Sequence, residues 1–334
     1  MRTWLKRIGL GLLGLIVVAA LLGAIAERVA RGRAATDHPP PGRLVDIGGR
    51  RLHLDCRGSG TPIVVLEAGL DMNGSLAWAA VHDSIAATTR TCGYSRAGIM
   101  WSDPGPQPRH ATAVAADLDA ALTAAGEAGP YVMVGHSLGG PYISVYTKRF
   151  PDKVAGLVFV DASHPDQVAR LAEATGKEME PPLGSLKVLA ALAWTGLARA
   201  VMPTDTNGAI PESVRRATAA YAATSMGPMI AEARAMSETM AQAGEARALG
   251  ERPLAVLTAA APLDAATLAQ IEMTAEQGRK FQAIWTALQV EQAGWSSRSE
   301  HQIIPDASHY VQRDRPDLVI AAVRRVVEQV RAGR

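Results

Sequence analysis

Cysteines and aromatic rings are scarce in this chain of 334 residues, which has two Cys, three Phe, six Trp and six Tyr. Two cysteines exclude a disulfide-framework miniprotein and a multi-cysteine zinc site. With so few rings, the interior must be largely aliphatic. An excess of one charge is also missing, since 34 Lys and Arg against 32 Asp and Glu leave a net +2. That even balance, without an RNP, zinc-finger or basic-region pattern, leaves nucleic acid out as an expected partner. Charged residues are only 20% of the chain and apolar ones 48%, which is not the composition of a disordered protein. No internal repeat is evident. The length suits one large domain or two ordinary ones.

Charge is absent altogether from the 19 positions Ile8 to Ala26. As a helix rising about 1.5 Å per residue, this run spans about 28 Å, close to the hydrocarbon thickness of a bilayer. Arg2, Lys6 and Arg7 precede it, and Glu27, Arg28, Arg31 and Arg33 follow, a weak bias towards an inside N-terminus. Residues 1–36 therefore read as a membrane anchor, with residues 8–26 in the membrane and the rest of the chain exported. Ala24-Ile25-Ala26 also resembles a signal cleavage site, so secretion after cleavage is the alternative. Residues 1–36 hold six basic residues and one acidic, leaving 28 basic and 31 acidic for the remainder. A cationic membrane segment is thus joined to a mildly acidic domain. The stretch Ala34 to Gly42 contains Pro39-Pro40-Pro41 and reads as a stiff extended spacer, assigned to residues 37–42.

From residue 43 onward, strands and helices alternate. Leu44 to Ile47 and Arg51 to Cys56 flank Gly48-Gly49, a hairpin signal. Pro62 to Glu67 and Tyr131 to Val134 are short apolar runs suited to buried strands, and Arg90 to Tyr94, Val154 to Val160, Leu254 to Thr258 and Glu300 to Ile304 also read as strands. Helical spacing is read over Leu76–Thr88, over Thr112–Ala125, up to Phe150 before Pro151, and in a final helix presenting Val319, Val323, Val326 and Val330. The expectation is one α/β domain, 43–334, with a mostly parallel sheet flanked by helices. About 90 residues between Asp161 and Pro253 break the alternation with Ala- and Met-rich helical sequence, expected to be a lid over about 163–250.

Gly135-His136-Ser137-Leu138-Gly139 matches G-x-S-x-G directly after a strand and at the start of a helix. A tight turn there exposes a serine hydroxyl at a helix N-terminus, where developing negative charge is favoured. With this motif and the stretches "LVDIGGRRLHLDC", "VVLEAGLDMNGSLAW", "RTCGYSRAGIMWSDPGP", "PDKVAGLVFVDASHPDQ" and "SHYVQRDRPDLV", the chain resembles the α/β-hydrolase superfamily, in particular bacterial membrane-anchored members. The likeness covers about residues 42–334 and is weakest across the lid and around 260–295. Ser95 and Met100 stand where relatives often have Asp and Gly.

The resemblance implies Ser137 as nucleophile and His309, between the last strand and the final helix, as its base. Two carboxylates compete as the third member. Asp161 follows its strand immediately, while Asp264 lies at the position more often used, six residues past a strand. Asp161 is preferred and Asp264 kept as the alternative. The oxyanion donors implied are the backbone N–H groups of Leu138 and of Leu70 in Ala68-Gly69-Leu70. In this topology the second and fourth strands are antiparallel neighbours, which implies a Cys56–Cys92 disulfide, in keeping with export. His301 and His309, eight apart with no adjoining ligand, fit no zinc pattern. No metal or cofactor is expected.

The function implied is a serine hydrolase cleaving a carboxylic ester, less readily an amide, of a small acyl or lipid-like molecule. A serine nucleophile argues against the epoxide hydrolases and haloalkane dehalogenases of the superfamily, which use Asp. Other chemistry on the same triad remains open (C–C hydrolysis, hydroxynitrile lysis, cofactor-free haloperoxidase or perhydrolase activity), as does a non-catalytic membrane-tethered binding protein.

Overall fold

The strands pair into one eight-stranded sheet in the order β1-β2-β4-β3-β5-β6-β7-β8. These strands are β1 (Arg43–Asp46), β2 (Arg51–Arg57), β3 (Ile63–Glu67), β4 (Thr91–Ser95), β5 (Tyr131–His136), β6 (Val154–Val160), β7 (Leu254–Ala259) and β8 (Ser299–Ile304). The pairs β1/β2 and β2/β4 are antiparallel, and every later pair is parallel. The structure is a computed structural model that describes residues 2–177, 183–202 and 210–333.

Helices cover both faces, as parallel strands buried on both sides require. On one face α3 (Ala111–Ala124), α4 (Gly139–Arg149) and α9 (Met236–Gly244) close a core of Val65, Met133, Leu157, Leu118, Ile143 and Met240. On the other, α2 (His82–Ala86) and α13 (Pro316–Arg331) close a core of Val64, Val132, Val158, Ile85, Val323 and Val326. The helix expected over Leu76–Thr88 divides in two. A 3-10 turn at Gly74–Trp78 precedes α2, and i→i−3 bonds from Ala79 and Val81 bridge the break while Trp78 and Val81 are driven into the core.

The insertion between β6 and β7 is helical, as its composition implied. It holds α5 (Gln167–Thr175), α6 (Leu183–Ala191), α7 (Leu197–Val201), α8 (Glu212–Arg234) and α9, with a 3-10 turn at Ala193–Thr195. The lid expected over 163–250 also includes 178–182 and 203–209, which lie outside the described residues. Met226, Met229 and Ile230 of α8 pack on Ile99 and Met100 of the loop after β4. After β7 come α10 (Ala265–Gln270) and α11 (Ala275–Ala293), and after β8 the short α12 (Val311–Asp314).

The N-terminal helix α1 (Arg2–Asp37) is long and apolar enough to cross a membrane, and its most apolar window is wholly unburied. It continues unbroken past Glu27, so Ala34–Asp37 is helical rather than extended. The cause is packing. Glu27 and Ala34 are buried against the domain, and the His38 carbonyl accepts from Trp101 Nε1 at 2.9 Å and from Tyr221 Oη at 3.3 Å. Only residues 38–42 remain as a connection.

Cys56 and Cys92 face each other in the β2/β4 ladder and are disulfide-bonded. The bond closes a loop with a sequence separation of 36. Replacing both cysteines by Ala should lower the unfolding free energy by about 2–4 kcal/mol, the usual effect of opening a loop of that length. Urea titration of the detergent-solubilised wild type and double variant measures this. Equal midpoints, or two free thiols in the denatured wild type, would refute it.

Candidate active site

Register brings the chemistry to one edge of the sheet. His136 and Leu257 both pair with Val160, so Ser137 and Asp161, each the next residue, leave adjacent strands side by side. The Ser137 N–H donates to the Val160 carbonyl at 3.3 Å, and the Asp161 N–H to that of Leu257 at 2.7 Å. Both residues take left-handed backbone angles, φ 52° for Ser137 and φ 46° for Asp161. Such conformations cost a non-glycine residue about 1–3 kcal/mol and persist only where the surroundings enforce them. The surroundings here are close-packed backbone. A Cβ at Gly139 would come within 2.4 Å of the Glu67 carbonyl oxygen, so no side chain is tolerated where α4 leaves the turn.

The imidazole of His309 is held by Asp161, whose Oδ2 lies 2.6 Å from His309 Nδ1. The other carboxylate oxygen accepts from the Ala259 N–H at 2.9 Å and from Trp285 Nε1 at 2.8 Å. Asp161 is buried, and its carboxylate thus meets three donors. The His309 side chain is 40% exposed, open towards the solvent side of the turn. Its own carbonyl lies 2.8 Å from His136 Nε2, and the two imidazole rings pack 4.7 Å apart. His136, the variable residue of the motif, therefore holds the loop that carries His309. Burial, together with the neighbouring His309 and Arg313, pushes the His136 pKa well below its ordinary value, so the ring is neutral.

Asp264 stands elsewhere. It is the N-cap of α10, where its Oδ1 accepts from the Thr267 N–H at 2.7 Å. His301 is likewise spent in the sheet, its Nε2 lying 2.8 Å from Thr258 Oγ1. Of the two carboxylates read from sequence, only Asp161 meets the imidazole.

Leu138 occupies the N-cap position of α4, and the Ala68-Gly69-Leu70 loop runs directly against the serine. A Cβ on Gly69 would lie 3.0 Å from Ser137 Cβ. Among the described residues, neither the Leu138 nor the Leu70 amide is spent on another acceptor. Cavities of about 770 and 480 Å³ in the lid region are lined by neither Ser137 nor His309.

Three features of the site escaped the sequence reading. Arg96 is buried and reaches Glu67 Oε1 at 2.8 Å, both Glu232 oxygens at 2.8 Å, and the carbonyls of Ala68 at 2.8 Å and Gly69 at 2.6 Å. Burial pushes the Glu67 carboxyl up to about 7, against the pull of Arg96 and of the Tyr94 hydroxyl that donates to it. Trp285 and the His136 contact are the others. Nothing local marks a buried Arg or a Trp that donates to a carboxylate, because each partner is far away in sequence. Ser95, one of the two departures, is buried with its Oγ 3.1 Å from His53 Nδ1. Met100, the other, takes φ 52° where glycine would be unstrained, its N–H donating to Ser225 Oγ at 2.9 Å.

Four buried histidines (His53, His82, His136 and His164) have pKa values lowered by burial, that of His164 to about 4. A histidine that stays neutral in the fold but protonates near 6.5 when unfolded favours the unfolded state increasingly as pH drops below that value. Stability should therefore fall from pH 6.5 towards 4. In His164→Gln the pH slope of the unfolding free energy should shrink by about one proton over that range. Denaturant titrations at stepped pH measure it, and an unchanged slope counts against this origin of acid lability.

The comparisons with known proteins agree with this architecture. Residues 61–234 match the family model described as the alpha/beta hydrolase fold, more than half of the chain, and the chain belongs to that family. Among curated relatives, a probable transporter from Hormonema carpetanum is 37% identical over 137 residues, 38% of this chain and 19% of that protein. The chain spans half or less of the length of the curated relatives it matches. Solved structures with the same fold include a thermophilic esterase from Thermogutta terrifontis (20% identity, TM-score 0.58, covering 86% of this chain and 98% of that one). An epoxide hydrolase from Bacillus megaterium is also similar (16% identity, TM-score 0.59, covering 86% and 100%).

Proposed function

We propose that this α/β-hydrolase is a membrane-anchored serine hydrolase that cleaves carboxylic esters through an acyl-enzyme. The observation that carries the reading is the 2.6 Å bond between Asp161 and His309 Nδ1 beside the strained Ser137 turn. That bond fixes the tautomer with the proton on Nδ1, leaving Nε2 free to act as a base. In the reaction, Ser137 Oγ attacks the ester carbonyl carbon while His309 Nε2 takes the hydroxyl proton. The tetrahedral oxyanion is met by the amides of Leu138 and Leu70, aided by the N-terminal end of α4. Collapse expels the alcohol, which leaves with the proton held by His309. Water then attacks the acyl-enzyme by the same route, with His309 as base, and the acid departs as Ser137 regains its proton. The imidazolium that forms in each half-reaction is stabilised by the buried Asp161 carboxylate.

The serine also distinguishes this reading from epoxide opening or dehalogenation, which proceed through an aspartate ester at that position. Asp264, already committed to the α10 amides, has no part in the reaction. With α1 crossing the membrane, the domain stands on the exported side, where the Cys56–Cys92 bond is stable.

The test is a fluorophosphonate probe combined with turnover of short acyl esters. The wild type should label and turn over. Ser137→Ala should do neither, losing about 10⁶-fold in rate. Asp161→Asn should lose about 10⁴-fold, as expected when the imidazole takes the wrong tautomer. Asp264→Asn should match the wild type. Labelling that survives in Ser137→Ala would overturn the mechanism, and a large loss in Asp264→Asn would overturn the choice of acid. A wild type inert to both reagents would favour a binding protein instead.

A further inference from the structure

The lid is packed on α1 at a level inside the apolar run. Gly23 presses backbone to backbone against the 3-10 turn, where an added Cβ would fall 2.1 Å from the Thr195 carbonyl oxygen. A Cβ on Gly196 would in turn lie 3.3 Å from the Gly23 carbonyl oxygen. One turn further on, buried Glu27 is bonded to Arg199 Nε at 2.9 Å and to Arg31 Nε at 2.8 Å. These contacts fix the depth of the lid. If Ile8–Ala26 fills the hydrocarbon layer, Gly23 lies about 4–5 Å inside its boundary, at about 1.5 Å of rise per residue. The lid turn must then enter the bilayer surface as well.

The composition of the lid there suits that position. Val188 (61% exposed), Leu192, Trp194, Leu197 and Val201 (55%) are exposed on α6, the 3-10 turn and α7. They are five of the nine large apolar side chains exposed outside α1 among the described residues, gathered on 14 consecutive positions. The segment 188–201 carries one charge, Arg199, and that charge is spent on Glu27 of α1. A paired charge is the form in which an ionisable group is tolerated near hydrocarbon. Trp194 stands where aromatic rings collect, at the boundary between headgroups and acyl chains.

We infer that α6, the 3-10 turn and α7 form a second membrane-contacting surface, seated in the bilayer interface beside α1 and facing lipid. This rests on the reading of α1 as membrane-crossing. The surface holds the lid at the depth where ester-linked lipids present their carbonyls, so the substrates to which this lid has direct access are bilayer-resident esters.

Depth can be measured on the full chain, because both native cysteines are in the disulfide and a thiol reagent reacts only with an introduced one. Leu192→Cys, Leu197→Cys, Leu15→Cys in the middle of α1 and Glu328→Cys on α13 would each carry an NBD fluorophore. The proteins would be reconstituted in phosphatidylcholine–phosphatidylglycerol vesicles. Positions 192 and 197 should show blue-shifted emission and be quenched by doxyl-labelled lipid at least about twofold more than position 328, as position 15 is. Aqueous emission at 192 and 197 with lipid-quenched emission at 15 overturns the lid surface and leaves the anchor standing. Aqueous emission at 15 as well removes the anchor, and the lid surface with it. Apolar emission at 192 and 197 that doxyl lipid does not quench and that disappears on dilution assigns the face to a second copy of the chain, and overturns the proposal.

Discussion

One buried guanidinium joins the parts of this molecule that must stay in register. Arg96 leaves the end of β4 and is enclosed by the Glu67 carboxyl at the end of β3, the Glu232 carboxylate of lid helix α8, and the carbonyls of Ala68 and Gly69. Its face also lies over the Tyr142 ring of α4, 5.1 Å from the centroid. Desolvating such a charge costs several kcal/mol unless partners surround it, and removing one partner of a buried pair typically costs about 3–5 kcal/mol. The sheet edge, the loop beside Ser137, the lid and the helix after Ser137 therefore share one interaction. One cation facing two carboxyls would leave an excess negative charge. Burial, with the neighbouring Glu232, pushes the Glu67 carboxyl up to about 7, which lessens that excess.

The Ser137 turn and Asp161 rest on that frame in different ways. Ser137 and Asp161 are both held at positive φ by tight backbone packing, and strain of that kind survives only in a rigid environment. Asp161 is then satisfied from three sides, by the Ala259 amide, Trp285 and His309, which arrive on β7, on α11 and on the loop after β8. His136 adds a second hold on the histidine loop from the nucleophile side. Four separate segments thus determine the position of one imidazole.

The lid is also tied to α1. Glu27 is bonded across to Arg199, and the C-terminal part of the helix packs along α8 and the loop after β4, where Trp101 and Tyr221 hold the His38 carbonyl. Continuing the helix to Asp37 shortens the Pro-rich connection to residues 38–42. The orientation of the domain relative to α1 follows from packing rather than from a tether.

Much of this was legible in the residues. The central strands β3, β5, β6 and β7 are apolar without alternation because both sheet faces are covered there, and the strand–turn–helix context of Gly135–Gly139 located the serine. His309 and the Cys56–Cys92 pair followed from the resemblance that those motifs carry. Asp161 is preferred to Asp264 on sequence, but each follows a strand and only the fold shows which carboxylate meets the ring. Arg96, Glu232 and Trp285 were silent because an isolated charged or aromatic residue carries no signal of a partner some 120 or more positions away. The extended spacer read from Ala34 begins only after Asp37, because α1 runs on to that residue and its Ala34 is buried against the domain. Local pattern sets periodicity, turns and the chemistry available, whereas burial and long-range pairing arise only when distant segments meet.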